Sequence, residues 1–188
     1  MARSNVSICN LALIKLGAST ITSLTDDMKN ANLCNQYYEQ VVDEVLRMHP
    51  WNCAIYRASL AQLESAPAFG YNYQYALPTD PYCLRVLRME DIDSEFRVEG
   101  GVLLTDESTC KISYIGRIID PNKFDPLLVE AIATLLAEYL AYPITQSNTL
   151  KEQMAKEVEE IFRKAKSTDA QEGTPEELDT STWLDARF

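Results

Sequence analysis

Apolar residues recur at helical spacing from Ser4 to Leu16, through Val6, Leu11, Leu13, Ile14 and Leu16. Ser4 is a suitable N-cap, and Gly17 stands where a left-handed cap ends a helix. A longer helix is expected from Asp26 as its cap, with Met28, Ala31, Leu33, Cys34, Tyr38, Val41, Val42, Val45, Leu46 and Met48 on its apolar face. Pro50 should stop it, because the residue before a proline is pushed out of helical geometry.

Residues 51–64 fit helix and strand patterns about equally, and an extended start is favoured. Period-two alternation then takes over: Tyr71, Tyr73 and Tyr75 alternate with Asn72, Gln74 and Ala76, and Leu77-Pro78-Thr79-Asp80-Pro81 breaks the strand. Further strands are expected over Tyr82 to Met89, over Phe96 to Val98 joined through Gly100-Gly101 to Val102 to Leu104, and over Cys110 to Ile118. Helix returns at Asp125-Pro126, a good cap and first-turn pair, and Pro143 should end it. A last helix, Ser147 to Ala170, carries Leu150, Met154, Val158, Ile161 and Phe162 on one side and charges on the other.

The pattern predicts an α+β fold, mainly α: a bundle of about four helices with a small inserted antiparallel β domain and an extended C-terminal tail. The expected division is 1–68 for the N-terminal helices, 69–120 for the β-rich insert, 121–170 for the C-terminal helices and 171–188 for the tail. Residues 171–182 hold too little apolar surface to offset ordering entropy. After them, Trp183, Leu184, Asp185, Arg187 and Phe188 bring back residue types common in interface hot spots, and so read as a tethered anchor for a partner.

Composition narrows the chemistry. With 188 residues, of which 46% are hydrophobic and 24% charged, the chain is sized for one globular domain. Its longest apolar run, Val129 to Leu140, is broken by Glu130 and Glu138, so no membrane anchor is expected. The N-terminal stretch lacks the apolar core of a secretory signal, which points to synthesis in the cytoplasm. A net charge of -11 disfavours a grip on nucleic-acid phosphates, and from Asp169 onward six acids face Arg187 alone.

Cys9, Cys34, Cys53, Cys83 and Cys110 are an odd set with no C-x-x-C pair, which suits small buried hydrophobes better than a disulfide framework or zinc site. Phosphate-cradle, zinc-protease and nucleophile-elbow motifs are absent from the sequence. The single histidine, His49, sits at a helix end, where it suits the last carbonyls. Asp43 with Glu44, or Asp91 with Asp93, are nominal carboxylate pairs for sugar hydrolysis, but acids are plentiful enough that a solvated face is the simpler reading. No catalytic residue, metal site or cofactor is therefore expected. Arg85, Arg88, Arg97, Lys111 and Arg117 gather in the strand region and could face an acidic neighbour, such as the tail of an adjacent copy. Arg85, Arg88, Tyr71 and Tyr73 are the expected subunit-interface residues.

Two ordered sets of segments carry a family resemblance. The first is Asn10-Leu11-Ala12-Leu13-Ile14-Lys15-Leu16-Gly17-Ala18 with Ile21-Thr22-Ser23-Leu24 and Asp26-Asp27. The second runs from Val45-Leu46-Arg47-Met48-His49-Pro50-Trp51-Asn52-Cys53-Ala54 through Arg57-Ala58 and Leu60-Ala61 to Phe69-Gly70-Tyr71, Tyr75-Ala76-Leu77-Pro78 and Cys83-Leu84-Arg85-Val86-Leu87. Over Ser4 to Tyr142 the chain resembles bacteriophage head-tail adaptors of the tail tubular protein A type.

The resemblance implies a structural virion protein of the tail or neck. Such a protein forms a roughly twelvefold homo-oligomeric ring between the portal protein and the tail nozzle or tail tube. Double-stranded DNA would pass through its lumen without specific binding. Trp183, Leu184, Asp185, Arg187 and Phe188 are then expected to meet the portal. The alternatives are a virion-associated peptidoglycan hydrolase and a tail terminator or completion protein.

Overall fold

The computed structural model describes residues 3–172, with side-chain detail through residue 168. Among the described residues the α-helices are α1 (Asn5–Lys15), α2 (Lys29–Met48), α3 (Pro126–Thr145) and α4 (Asn148–Glu172). The strands are β1 (Ile55–Ser59), β2 (Tyr73–Ala76), β3 (Cys83–Met89), β4 (Phe96–Glu99), β5 (Val102–Thr105) and β6 (Lys111–Gly116). The class is α+β, mainly α.

Local chemistry sets most helix ends. Ser4 and Ser7 form a reciprocal capping box at the start of α1, and Gly17 beyond its end has φ +66°. Asp125 accepts the Leu127 N–H at 2.7 Å and Pro126 opens α3. The Ser147 hydroxyl accepts the Leu150 N–H at 3.2 Å to start α4.

Two expectations at helix ends need correction. Asp26 does not cap α2, which begins after Met28; its carboxylate instead accepts from the Thr22 and Ser23 backbone N–H groups and the Thr22 hydroxyl, closing the preceding loop. Nor does Pro143 end α3. The helix runs on to Thr145, and Gln146 adopts a left-handed cap with φ 56°. So near the end, proline removes one hydrogen bond of the final turn while the next two residues still fold onto the helix.

The expected small antiparallel sheet is two three-stranded sheets, ordered β1-β6-β3 and β2-β5-β4. Gly100 and Gly101, both at positive φ, make the β4–β5 turn. β1 lies before residue 69 in the chain, yet pairs along β6 from Ile55 opposite Ile115 to Ser59 opposite Lys111.

α3 is the central helix, packed against α1, α2 and α4. By length and composition it could cross a membrane; in this fold Leu128, Ile132, Leu136 and Leu140 are instead fully buried in the main core. A second, smaller core joins Tyr75 and Leu103 of the second sheet to Met89, Ile112 and Tyr114 of the first. The first sheet thus has one face toward the second sheet, while Leu84 and Ile115 join the main helical core. Trp51 links α2 to this arrangement: it is buried, donates its indole N–H to the Val45 carbonyl at 3.0 Å, and lies 6.1 Å from Phe162 of α4, centroid to centroid.

Candidate functional site

The features best suited to function are surfaces. Along β6 the side chains alternate: Ile112 and Tyr114 enter the small core, while Lys111, Ser113 and Ile115 share the other face. Helices cover that face at Ile115 and leave it open at Ser113 and Lys111. Arg57 of β1 lies opposite Ser113 from one side, and Arg88 of β3 lies opposite the same serine from the other. Arg57, Ser59, Arg88, Glu90, Lys111 and Ser113 line a shallow cavity of about 320 Å³ there. Lys111 pairs with Glu90 at 2.8 Å. Arg85, one turn of the pleat away, donates to the Arg47 carbonyl at 3.2 Å.

The expected interface residues fall on different sheets. Arg85 and Arg88 are exposed on β3 of the first, whereas Tyr71 precedes β2 and Tyr73 lies on β2 of the second, both half-buried. Tyr73 packs against the small core, and Tyr75, the third of the alternating tyrosines, is buried and donates its hydroxyl to the Glu107 carbonyl at 2.8 Å. The basic residues do not all gather either. Arg97 is on the second sheet beside Glu99, and Arg117 is engaged by Asp43 of α2. Arg57 and Ser113 were missed in sequence, because only strand pairing places them with Arg88. Trp183, Leu184, Asp185, Arg187 and Phe188 lie outside the described residues.

Ionisable groups elsewhere serve mostly as ties. Burial works against the charge on Lys15, but hydrogen bonds to Glu157 and Glu130 outweigh it and hold the ammonium above its usual range, joining α1 to α3 and α4. His49 is buried and meets Trp51 edge to face at 4.9 Å. The Cys34 thiol and burial push the Cys9 thiol up, and burial pushes Cys110 up to about 11. Such thiols stay protonated and poorly nucleophilic near neutral pH. Among the described residues no group of three or more His, Cys, Asp or Glu could hold a metal ion.

Of the nominal carboxylate pairs, Asp43 is taken by Arg117, and Asp91 accepts from the Asp93 N–H and the Ser94 hydroxyl within a turn. Glu44 instead finds a new neighbour set. It accepts the Tyr139 hydroxyl at 2.9 Å, and Tyr139 sits 5.6 Å from Tyr37, centroid to centroid. Glu138, next in the chain, lines a cleft with Tyr37, Tyr139, Tyr142 and Lys151. Burial holds its carboxyl above the usual range, with Glu44 adding to the rise and Lys151 opposing it.

Apolar side chains remain in solvent at several places. Leu11 and Ile14 stand on the outer side of α1, with Ile14 61% exposed, and Ile119 after β6 is 85% exposed. No protein-family model matches this chain, and no curated protein matches it either.

Proposed function

We propose that this chain is a structural virion protein: a bacteriophage head-tail adaptor subunit that assembles as a roughly twelvefold ring between the portal protein and the tail nozzle or tube. The observation that carries the reading is the β region between α2 and α3, entered through the His49-Pro50-Trp51-Asn52 segment, in an otherwise helical chain. That is the arrangement the resemblance implies.

Physical features support it. A ring of identical subunits needs two different patches that meet head to tail. The exposed Leu11/Ile14 side of α1 supplies one apolar surface for such a contact. A net charge of -11 suits a lumen through which duplex DNA slides without being held. Trp183 to Phe188 would then anchor the ring to portal subunits.

Sedimentation velocity of the purified protein, alone and with its portal protein, tests this. A discrete ring-sized complex with portal, lost on removing residues 183–188, is the expected result. Absence of any association would overturn it, and association with the tail tube alone would identify a tail terminator or completion protein.

A second reading is a peptidoglycan hydrolase, which needs two carboxyls flanking a sugar cleft; Glu138 lines a cleft with tyrosines, and Glu44 beside it holds the Tyr139 hydroxyl. Lysis of purified peptidoglycan that disappears in Glu138→Gln would establish it.

A further inference from the structure

The start of α3 and one stripe of α4 enclose an open groove of about 680 Å³. Leu127 and Ile161 give it an apolar floor, and Lys156, Glu160 and Lys164 stand exposed along its α4 rim. At the same groove Glu130 and Glu157 share the ammonium of Lys15, two carboxylates on one cation, and both keep solvent access. An apolar floor, a basic rim position and a surplus carboxylate suit a segment that offers an aromatic ring, an acid and a base in that order. The chain carries one beyond the end of α4: Trp183-Leu184-Asp185-Ala186-Arg187.

We propose that this segment folds back along α4 and occupies the α3–α4 groove of its own subunit. The helix that lines the groove also fixes the reach: Ile161 lies about 17 Å along the axis of α4 from its end at Glu172. The chain from Glu172 to Trp183 spans about 18 Å as a coil and about 36 Å when extended. A coil span that matches the distance is the condition under which a tether raises local concentration most. Gly173 and Pro175 follow α4, residue types that end a helix and let the chain turn back. In an extended segment Trp183, Asp185 and Arg187 share one side. With Trp183 over Leu127 and Ile161, Asp185 falls about 7 Å further along, beside Lys156, and the Arg187 guanidinium comes within reach of Glu157. The inference stands independently of the adaptor reading, since it needs only this chain; under that reading a portal subunit draws the segment out of the groove.

Zero-length carbodiimide cross-linking of the full chain, with no partner present, tests it on an equal mixture of unlabelled and nitrogen-15-labelled protein. Read by peptide mass spectrometry, Lys156 should be the dominant lysine joined to Asp185, in products that carry one isotope only. Trp183→Ala should keep the circular dichroism of the parent and lower that product roughly tenfold, the effect of removing one hot-spot aromatic. The emission of Trp183, taken as the difference between the parent and Trp183→Phe, should be quenched by acrylamide several-fold less than in the urea-unfolded chain. Equal products at Lys29, Lys111 and Lys151, a Lys156 product unchanged in Trp183→Ala, or a Trp183 as open to acrylamide as in urea would overturn the proposal. So would Asp185–Lys156 products of mixed isotope, which would assign the groove to the segment of a second copy.

Discussion

Arg117 and Asp43, 74 residues apart in the chain, meet as a two-pronged ion pair that ties the end of β6 to α2, with Nε 2.7 Å from Oδ1. The guanidinium also lies 5.2 Å from the centre of the Tyr82 ring. Because the Arg117 side chain keeps 43% of its exposure, solvent screens the pair. A double-mutant cycle with Asp43→Asn and Arg117→Met should give a coupling of about 0.5–1 kcal/mol, the upper part of the range for surface pairs with fork geometry. A coupling near zero would show that this ion pair adds nothing to the hold of the sheet on α2, leaving it to apolar packing and to the Arg47 and Arg85 bonds to backbone carbonyls.

Trp51 is the largest side chain buried where α2, the β region and α4 meet. Trp51→Ala should cost about 3–5 kcal/mol, from lost burial and the cavity left behind. Trp51→Phe should cost less, since it keeps one aromatic ring in the site while losing the bond to the Val45 carbonyl and the volume of the second ring. Urea unfolding of both variants checks the order.

A side chain at Gly116 would collide with its neighbours. An added Cβ lies 2.7 Å from Tyr56 Cδ2 and 3.0 Å from Pro81 Cγ, so the tyrosine ring must move. Gly116→Ala should destabilise by about 1–3 kcal/mol. Pairing it with Tyr56→Leu should recover part of the loss, whereas full additivity of the two would place the strain elsewhere.

Asp26 titrates in a hydrogen-bonded loop. The Ser23 backbone N–H, with help from Thr22, holds its carboxyl below the ordinary 3.8. A depressed folded value means that its stabilisation is present above the ordinary value and is lost as pH falls through the folded one. Asp26→Asn should therefore lower Tm at pH 7 and make little difference in strong acid.

Glu138 has the opposite sign. Its raised folded value means the native state holds the proton more tightly than the unfolded chain does. Stability should fall as pH rises from the ordinary 4.5 through the folded value, and Glu138→Gln should abolish that fall. The variant is expected to gain Tm at pH 7 and to match the parent well below the ordinary value.

How far the fold was legible follows from the range of the signals. The Ser4 cap, the Gly17 stop, the Gly100-Gly101 turn, the Asp125-Pro126 start and the amphipathic stripe of α4 are encoded within a few residues, because helical and strand periods and turn angles are local properties. Those features are in the structure where the sequence put them. The site was far less legible. Arg88 was visible as a basic strand residue, but its partners Arg57 and Ser113 join it only through the pairings of β6 with β1 and β3.

Sequence by itself thus determined the four helices and most of the strands, though not the element over residues 51–64, as well as the acidity of the chain. Tertiary structure alone decided that the strands form two sheets, and that Arg117 reaches Asp43 while Glu44 reaches Tyr139. The physical reason is that a residue's periodicity selects its element and face. Which distant element covers that face depends on closing long loops around a shared core, and no window of neighbouring residues contains that information.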